Sequence, residues 1–233
     1  MISPVNDDPW TASEHLGISP SDEMPLLQVE DLGDIVPLDA QIGVEPKLAV
    51  PPRLRHALFG PGEADPDLAT YAILDAARIA NLPEILAQGA IPHECLFKGG
   101  ARNDWGHVAP WLVALDEDSA FTRRLFTRGR AAWHLWDDQA GIYIRSGLDL
   151  HSLWRHFRKF TRAVDRQGRW HYLRFYDPVY LTDYVSSLAP EKLAKFTSGI
   201  DSMIVARPGR SVVLRLVQTA QSSSSTAISG SGK

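Results

Sequence analysis

Short apolar runs separated by turn residues and helix formers constrain this chain more than any other feature. Residues 71–74 (YAIL) and 108–115 (VAPWLVAL) have the length of a strand buried on both faces and are short for a buried helix. Each is followed by residues suited to a helix. Residues 76–88 are rich in helix formers, with Pro83 as an expected interruption, and Asp116, Asp118 or Ser119 is placed to cap a helix whose Phe121, Leu125 and Phe126 share a face. Residues 202–206 and 211–217 form two further strand-like runs around the turn residues Arg207-Pro-Gly-Arg210. This alternation predicts a mixed α/β domain: a central mixed β-sheet flanked by helices.

Residues 132–137 and 141–145 flank the turn-like DDQAG and predict a hairpin. The clearest helix follows, over residues 150–162, where Leu150, Leu153, Trp154, Phe157 and Phe160 or Thr161 recur at helical spacing and Asp149 can cap. Arg155, Arg158, Lys159 and Arg162 fall away from that stripe, so the helix has a basic outer face. After a turn at residues 166–169, the run WHYLRFYDPVYL predicts a strand over residues 170–176 that ends at Pro178. Alternation then puts Trp170, Tyr172, Arg174 and Tyr176 on one side and His171, Leu173 and Phe175 on the other. An arginine among aromatics needs a carboxylate or carbonyl partner, and Asp177 is a candidate. Residues 181–196 read as helical apart from Pro190.

Charge divides the chain unevenly. Residues 1–65 hold twelve Asp or Glu against three Lys or Arg and nine of the sixteen prolines, while the remainder holds sixteen against twenty-one. The expected organisation is an acidic, Pro-rich leader over 1–65, a body over 66–218 and a flexible polar tail over 219–233. Within the leader, LLQVEDLGDIV is apolar enough to dock on the basic body or a partner.

The motifs of catalysis are missing from the sequence. There is no G-x-S-x-G elbow, P-loop or G-x-G-x-x-G, and Lys98-Gly-Gly-Ala-Arg102 reads as a turn. His93, Cys95 and His107 are poorly spaced for zinc, and a lone Cys95 is more often a packed apolar group than a nucleophile. A non-enzyme without metal or cofactor is expected. No apolar run approaches the roughly 20 residues of a membrane helix. With a single cysteine and no secretory signal pattern at the start, the expectation is a soluble cytoplasmic protein that binds neither membrane nor nucleic acid.

From residue 71 to about 206 the chain resembles the type VI secretion system effector chaperones, or adaptors, catalogued as the DUF4123 domain. The matching pieces run in order: YAILDAA, CLFKG, HVAPWLVAL, a helix with RRLF, LWRHFRKFTRAVDRQGRWHYLRFYDPVYL, and a closing strand near SMIVAR. The most specific is LRFYDP, with Arg174, Phe175, Tyr176, Asp177 and Pro178 as signature residues of a structural corner. The resemblance implies a cytoplasmic protein, not an enzyme, that binds a toxic effector and helps load it onto the spike protein VgrG. Arg155, Arg158, Lys159, Arg162, Arg207 and Arg210 are the candidate partner-binding residues. An immunity protein that blocks a toxin, and a hydrolase using Cys95 with His93 or His107, are the alternatives.

Overall fold

The computed structural model describes residues 25–62, 67–165 and 167–218. The tail from residue 219 and the leader's first 24 residues lie outside the described residues, as does the boundary drawn at 65 and 66. Nine strands are present among the described residues: β1 (Pro25–Gly33), β2 (Ala69–Asp75), β3 (His93–Cys95), β4 (Pro110–Leu115), β5 (Gly141–Ser146), β6 (Arg162–Val164), β7 (Trp170–Tyr172), β8 (Ser202–Val205) and β9 (Ser211–Gln218). Seven of them build one sheet in the order β1-β9-β8-β5-β2-β4-β3, while β6 and β7 pair only with each other. The expected mixed α/β architecture is therefore found. Within the sheet every ladder is antiparallel, where a mixture of directions was expected. The chain leaves β2 through helix α2, enters β3 in the same direction, and then returns as β4 between the two.

Helices cover both faces: α1 (Pro52–Phe59), α2 (Leu82–Gln88), α3 (Gly100–Trp105), α4 (Ala120–Phe126), α5 (Leu150–Phe157), α6 (Leu181–Ser186) and α7 (Pro190–Phe196). Strand periodicity sorts the side chains between two cores. On β2, Ala72 and Leu74 pack with Leu54, Leu82 and Phe126 of α1, α2 and α4, whereas Tyr71 and Ile73 pack with Phe157, Val185 and Phe196 of α5, α6 and α7. Burial on both sides is why the strands read as continuous apolar runs rather than alternating ones. Each fully buried Leu, Ile or Phe contributes roughly 1.5–3 kcal/mol relative to exposure.

The segment read as a leader supplies part of this fold from residue 25 onward. LLQVEDLGDIV forms most of β1, which pairs with β9 at the sheet edge, and Ile35, Leu38, Ala49, Val50, Leu54 and Leu58 enter one core. Its carboxylates meet body cations: Glu30 pairs with Arg215 at 3.1 Å and Asp31 with Arg210 at 3.4 Å. The leader is also clamped by Arg145, which is 4% exposed on β5. That guanidinium donates to the carbonyls of Leu58 and Gly60 at the end of α1 and, at 2.9 Å, to the Thr70 hydroxyl. A helix C-terminus is a natural seat for a cation, and here it satisfies a charge that burial would otherwise penalise.

Other sequence expectations are corrected. Helix α2 starts at Leu82, with Asn81 in the left-handed region at φ 56°, so Pro83 sits in its first turn, where no amide donor is needed, and interrupts nothing. Residues 132–137 form turns rather than the first strand of a hairpin. Their backbone is taken up by the end of α4, Leu135 N–H donating to Arg124 C=O at 2.9 Å and Trp136 N–H to Thr127 C=O at 3.2 Å. Strand β5 pairs with β2 and β8 instead. Ser119 is the cap of α4, accepting the Thr122 N–H at 3.0 Å.

Candidate partner-binding surface

Helix α5 begins where Asp149 accepts the Ser152 N–H at 2.7 Å, a bond that holds its carboxyl below the usual carboxylate range. Leu153 and Phe157 are buried beneath the helix, and Phe160 follows them into the same core. The helix is shorter than expected: residues 158–160 tighten into a 3₁₀ turn and β6 starts at Arg162. Arg162 therefore belongs to a strand, not to the basic helix face.

Arg155, Lys159 and Arg162 are exposed and Arg158 is half-buried. Two of these cations are organised by indole rings. The Arg158 guanidinium lies 4.7 Å from the Trp154 ring centroid, and Arg162 lies 5.3 Å from that of Trp170. Trp154 is itself anchored, its Nε1–H donating to the Cys95 carbonyl at 2.7 Å and its ring stacked on His151. Among the described residues, none of the four cations lies within ion-pair distance of a carboxylate. Arg55, Arg78, Arg128, Arg169, Arg174, Arg210 and Arg215 all do. The surface over α5 thus carries four cations close together in sequence without carboxylate partners, a local positive field, whereas these seven arginines elsewhere are each neutralised in a pair.

Strands β6 and β7 form a ribbon on this surface, with Arg162 opposite Tyr172, Ala163 opposite His171 and Val164 opposite Trp170. One face therefore carries Arg162, Val164, Trp170 and Tyr172. Trp170 is 53% exposed and Tyr172 61%, the latter touching Phe97 with ring centroids 5.1 Å apart. An isolated two-stranded ribbon is marginal in water, and Asp165 reinforces this one. Its carboxylate accepts from Gln167 N–H and Arg169 N–H at 2.9 Å each, from Arg169 Nε at 2.8 Å and from His171 Nε2 at 2.9 Å. The His171 bond, followed by the Arg169 amide, holds the Asp165 pKa down to about 2. Gly168, at φ +77°, closes the turn.

The strand expected over 170–176 stops at Tyr172. Beyond it the chain turns inward, and Phe175, Tyr176, Asp177 and Pro178 are consecutively buried, which no two-residue period allows. Phe175 stacks on Phe157 and meets Phe196 edge-on. Arg174 finds its carboxylate on β2, in Asp75, while Asp177 accepts from Arg78 at 2.9 Å and from the Val179 N–H at 3.0 Å. Burial, with the Asp75 charge as a second cause, pushes the Tyr176 pKa up to about 12. The signature residues form a charged latch between β2 and the start of α6.

Arg207 and Arg210 do not join the α5 cations. They sit in the β8–β9 turn, where Arg210 pairs with Asp31 near the β1 edge, whereas α5 packs over β3 and β4 at the other edge. Cys95 is buried, and burial pushes its thiol pKa up, which disfavours the thiolate. His93 bonds the Ile91 carbonyl through Nδ1 at 2.6 Å. Among the described residues no three His, Cys, Asp or Glu side chains gather to hold a metal, and no helix is long and apolar enough to cross a membrane.

Residues 70–195, from β2 to the end of α7, match the family described as a domain of unknown function, DUF4123. The chain belongs to the DUF4123 family. The match takes in the latch, α5 and the ribbon, and it stops short of β8, whereas the sequence resemblance extends to about residue 206. No curated protein and no solved structure matches this DUF4123 chain.

The residues that sequence reasoning missed are Trp170 and Tyr172, placed in a core strand, and Asp165. A usable signal was present. The D-x-x-G turn at residues 165–168, so soon after a helix, points to a short local hairpin.

Proposed function

We propose that this protein is a type VI secretion effector chaperone, or adaptor, which binds a toxic effector in the cytoplasm and helps place it on the spike protein VgrG, without catalysing a reaction itself. Membership of the DUF4123 family, with the resemblance of its signature run, supports the class of protein. The observation that carries the binding role is the row Arg155, Arg158, Lys159 and Arg162, four cations left without carboxylate partners among the described residues. Such a field steers an acidic partner and speeds association, while buried contacts supply most of the affinity. Binding stabilises a marginal effector by mass action, about 2.7 kcal/mol when free chaperone exceeds Kd a hundredfold.

Co-expression of the tagged chain with the products of neighbouring genes tests this reading. A toxin is expected to co-purify and to need the chain for export but not for self-protection; the reverse pattern would make the chain an immunity protein. The triple variant Arg155→Glu, Arg158→Glu, Arg162→Glu is expected to weaken capture and flatten its salt dependence. Unchanged capture and salt slope would refute the surface assignment.

A further inference from the structure

We infer that the β6–β7 ribbon is a preformed docking strip for an extended, acidic segment of a protein partner, with aliphatic side chains packing on Trp170 and Tyr172 and carboxylates meeting Arg158 and Arg162. This deepens the chaperone reading and rests on it for the identity of the natural partner.

Three independent observations lead to this occupant. First, Trp170 and Tyr172 are more than half exposed, at 53% and 61%. Trp, Tyr and Arg are the residue types that dominate interface hot spots, because each combines large apolar area with a polar handle. Here all three types stand together on one face of a ribbon that is not part of the main sheet.

Second, the strip is braced by its own contacts before anything binds. Asp165 gathers four donors from Gln167, Arg169 and His171, and Tyr172 rests on Phe97. The guanidinium of Arg162 is held over the Trp170 ring. Side chains already ordered lose little further entropy on association, which is the condition for a hot spot.

Third, charge and spacing select the partner. Arg162 lies on the strip itself and Arg155, Arg158 and Lys159 lie in the α5 segment that leads directly into it, while the ribbon carboxylate Asp165 is already bonded to Arg169 and His171. A carboxylate-bearing partner is complementary, and a basic one is repelled. Trp170 and Tyr172 are two residues apart on a strand, a separation of about 7 Å, which equals the repeat of like-facing side chains in an extended chain. A helical partner repeats at about 5.4 Å per turn and fits less well. Stacked aromatics among arginines would also suit single-stranded nucleic acid. The strand-like repeat of the aromatic face favours the extended peptide, and the oligo-dT arm of the test is the one that would show otherwise.

The test uses the full chain and four fluorescein-labelled probes: peptides of alternating Glu and Val, Glu and Ser, or Lys and Val, and oligo-dT of matched length. By anisotropy, the Glu-Val peptide is expected to bind, Glu-Ser at least about fivefold more weakly, and Lys-Val not at all. Trp170→Ala with Tyr172→Ala is expected to lower Glu-Val affinity by at least about tenfold and to abolish its advantage over Glu-Ser, with the circular dichroism and melting of the chain unchanged. Asp165→Ala is expected to weaken binding in the same direction through the loosened ribbon. No binding of Glu-Val, indifference of its affinity to Trp170 and Tyr172, or tighter binding of oligo-dT through the same residues would overturn the inference. Partner capture from co-expression separates the two readings. A toxin captured equally well by wild type and by the double variant would overturn the strip and leave the chaperone reading standing. A Glu-Val peptide bound through Trp170 and Tyr172, with no toxin ever captured, would overturn the chaperone reading alone.

Discussion

Residues 170–172 and 174–178 belong to one dense run of aromatics and charges, yet they meet opposite fates. Trp170 and Tyr172 stand in solvent on a ribbon, whereas Phe175 and Tyr176 are consecutively buried and Arg174 and Asp177 are each tied to an opposite charge around β2. Residue type does not separate the two stretches, since both hold two aromatics and flanking charge. Pairing does. In the second stretch each ionic group has a partner that the fold itself supplies, so its role is spent inside the molecule. Around the first, His171 is tied to Asp165, but Arg155, Arg158, Lys159 and Arg162 have no carboxylate partner among the described residues, so their binding capacity faces outward.

Unfolding experiments can break this comparison. Phe175→Ala removes a ring that is 1% exposed and packed on Phe157 and Phe196, and is expected to cost about 3–5 kcal/mol in denaturant titration. Trp170→Ala, on the ribbon, should stay within about 1 kcal/mol. Equal costs would mean that the ribbon is core and not contact surface.

The arginines provide the next contrast. Arg145→Met leaves the Gly60 carbonyl without its donor and the Leu58 carbonyl with only the Thr70 hydroxyl, and a loss of about 2–4 kcal/mol is expected, together with faster proteolysis in the α1 region. Arg155→Glu should change stability by no more than about 0.5 kcal/mol. Between these lies the latch. Arg174 is half exposed, so solvent screens its bond to Asp75, and Asp75→Asn is expected to cost about 1 kcal/mol in thermal melts at neutral pH. A cost above that of Arg145→Met would place the main anchor of the fold in the latch.

The smallest expected effect is local. Asp165 has its pKa lowered from 3.8 to about 2 in the folded ribbon, so the stability it contributes is fully present above about pH 4 and drains away as pH falls toward 2. Hydrogen exchange of the ribbon amides should rise over that window, while amides of β2 and β5 stay protected. Asp165→Asn should remove the pH dependence.

Much of the fold was legible because buried strands announce themselves by length and composition. β4, β5, β8 and β9 fall where apolar runs predicted them, and Ser119 and Asp149 cap the helices they precede. What failed shares one cause: tertiary contacts outweighed local pattern. The 132–137 stretch satisfied strand periodicity, but the free carbonyls of α4 captured its amides. β3 is three residues long, too little apolar signal to be distinguished from loop, and β1, which carries Glu30 and Asp31, was legible as a segment able to dock but not as a strand of the sheet. The candidate surface was half legible. Helical spacing exposed the cations of α5 without any fold, but the outward turn of Trp170 depends on where β7 ends, and that is decided by Phe175 dropping into a pocket between α5 and α7.

The clamp between Arg145 and the end of α1 reaches beyond the stretch that family membership recognises. Residues 70–195 alone would lack β1, β8 and β9, leaving β5 as a raw edge, and would strip Leu54 and Leu58 from one face. Such a fragment would present unpaired backbone and open hydrocarbon together, the combination that drives chains to aggregate. For recombinant work, the unit to express is set by the sheet and its acidic strap, beginning no later than residue 25, and not by the borders of the recognisable domain.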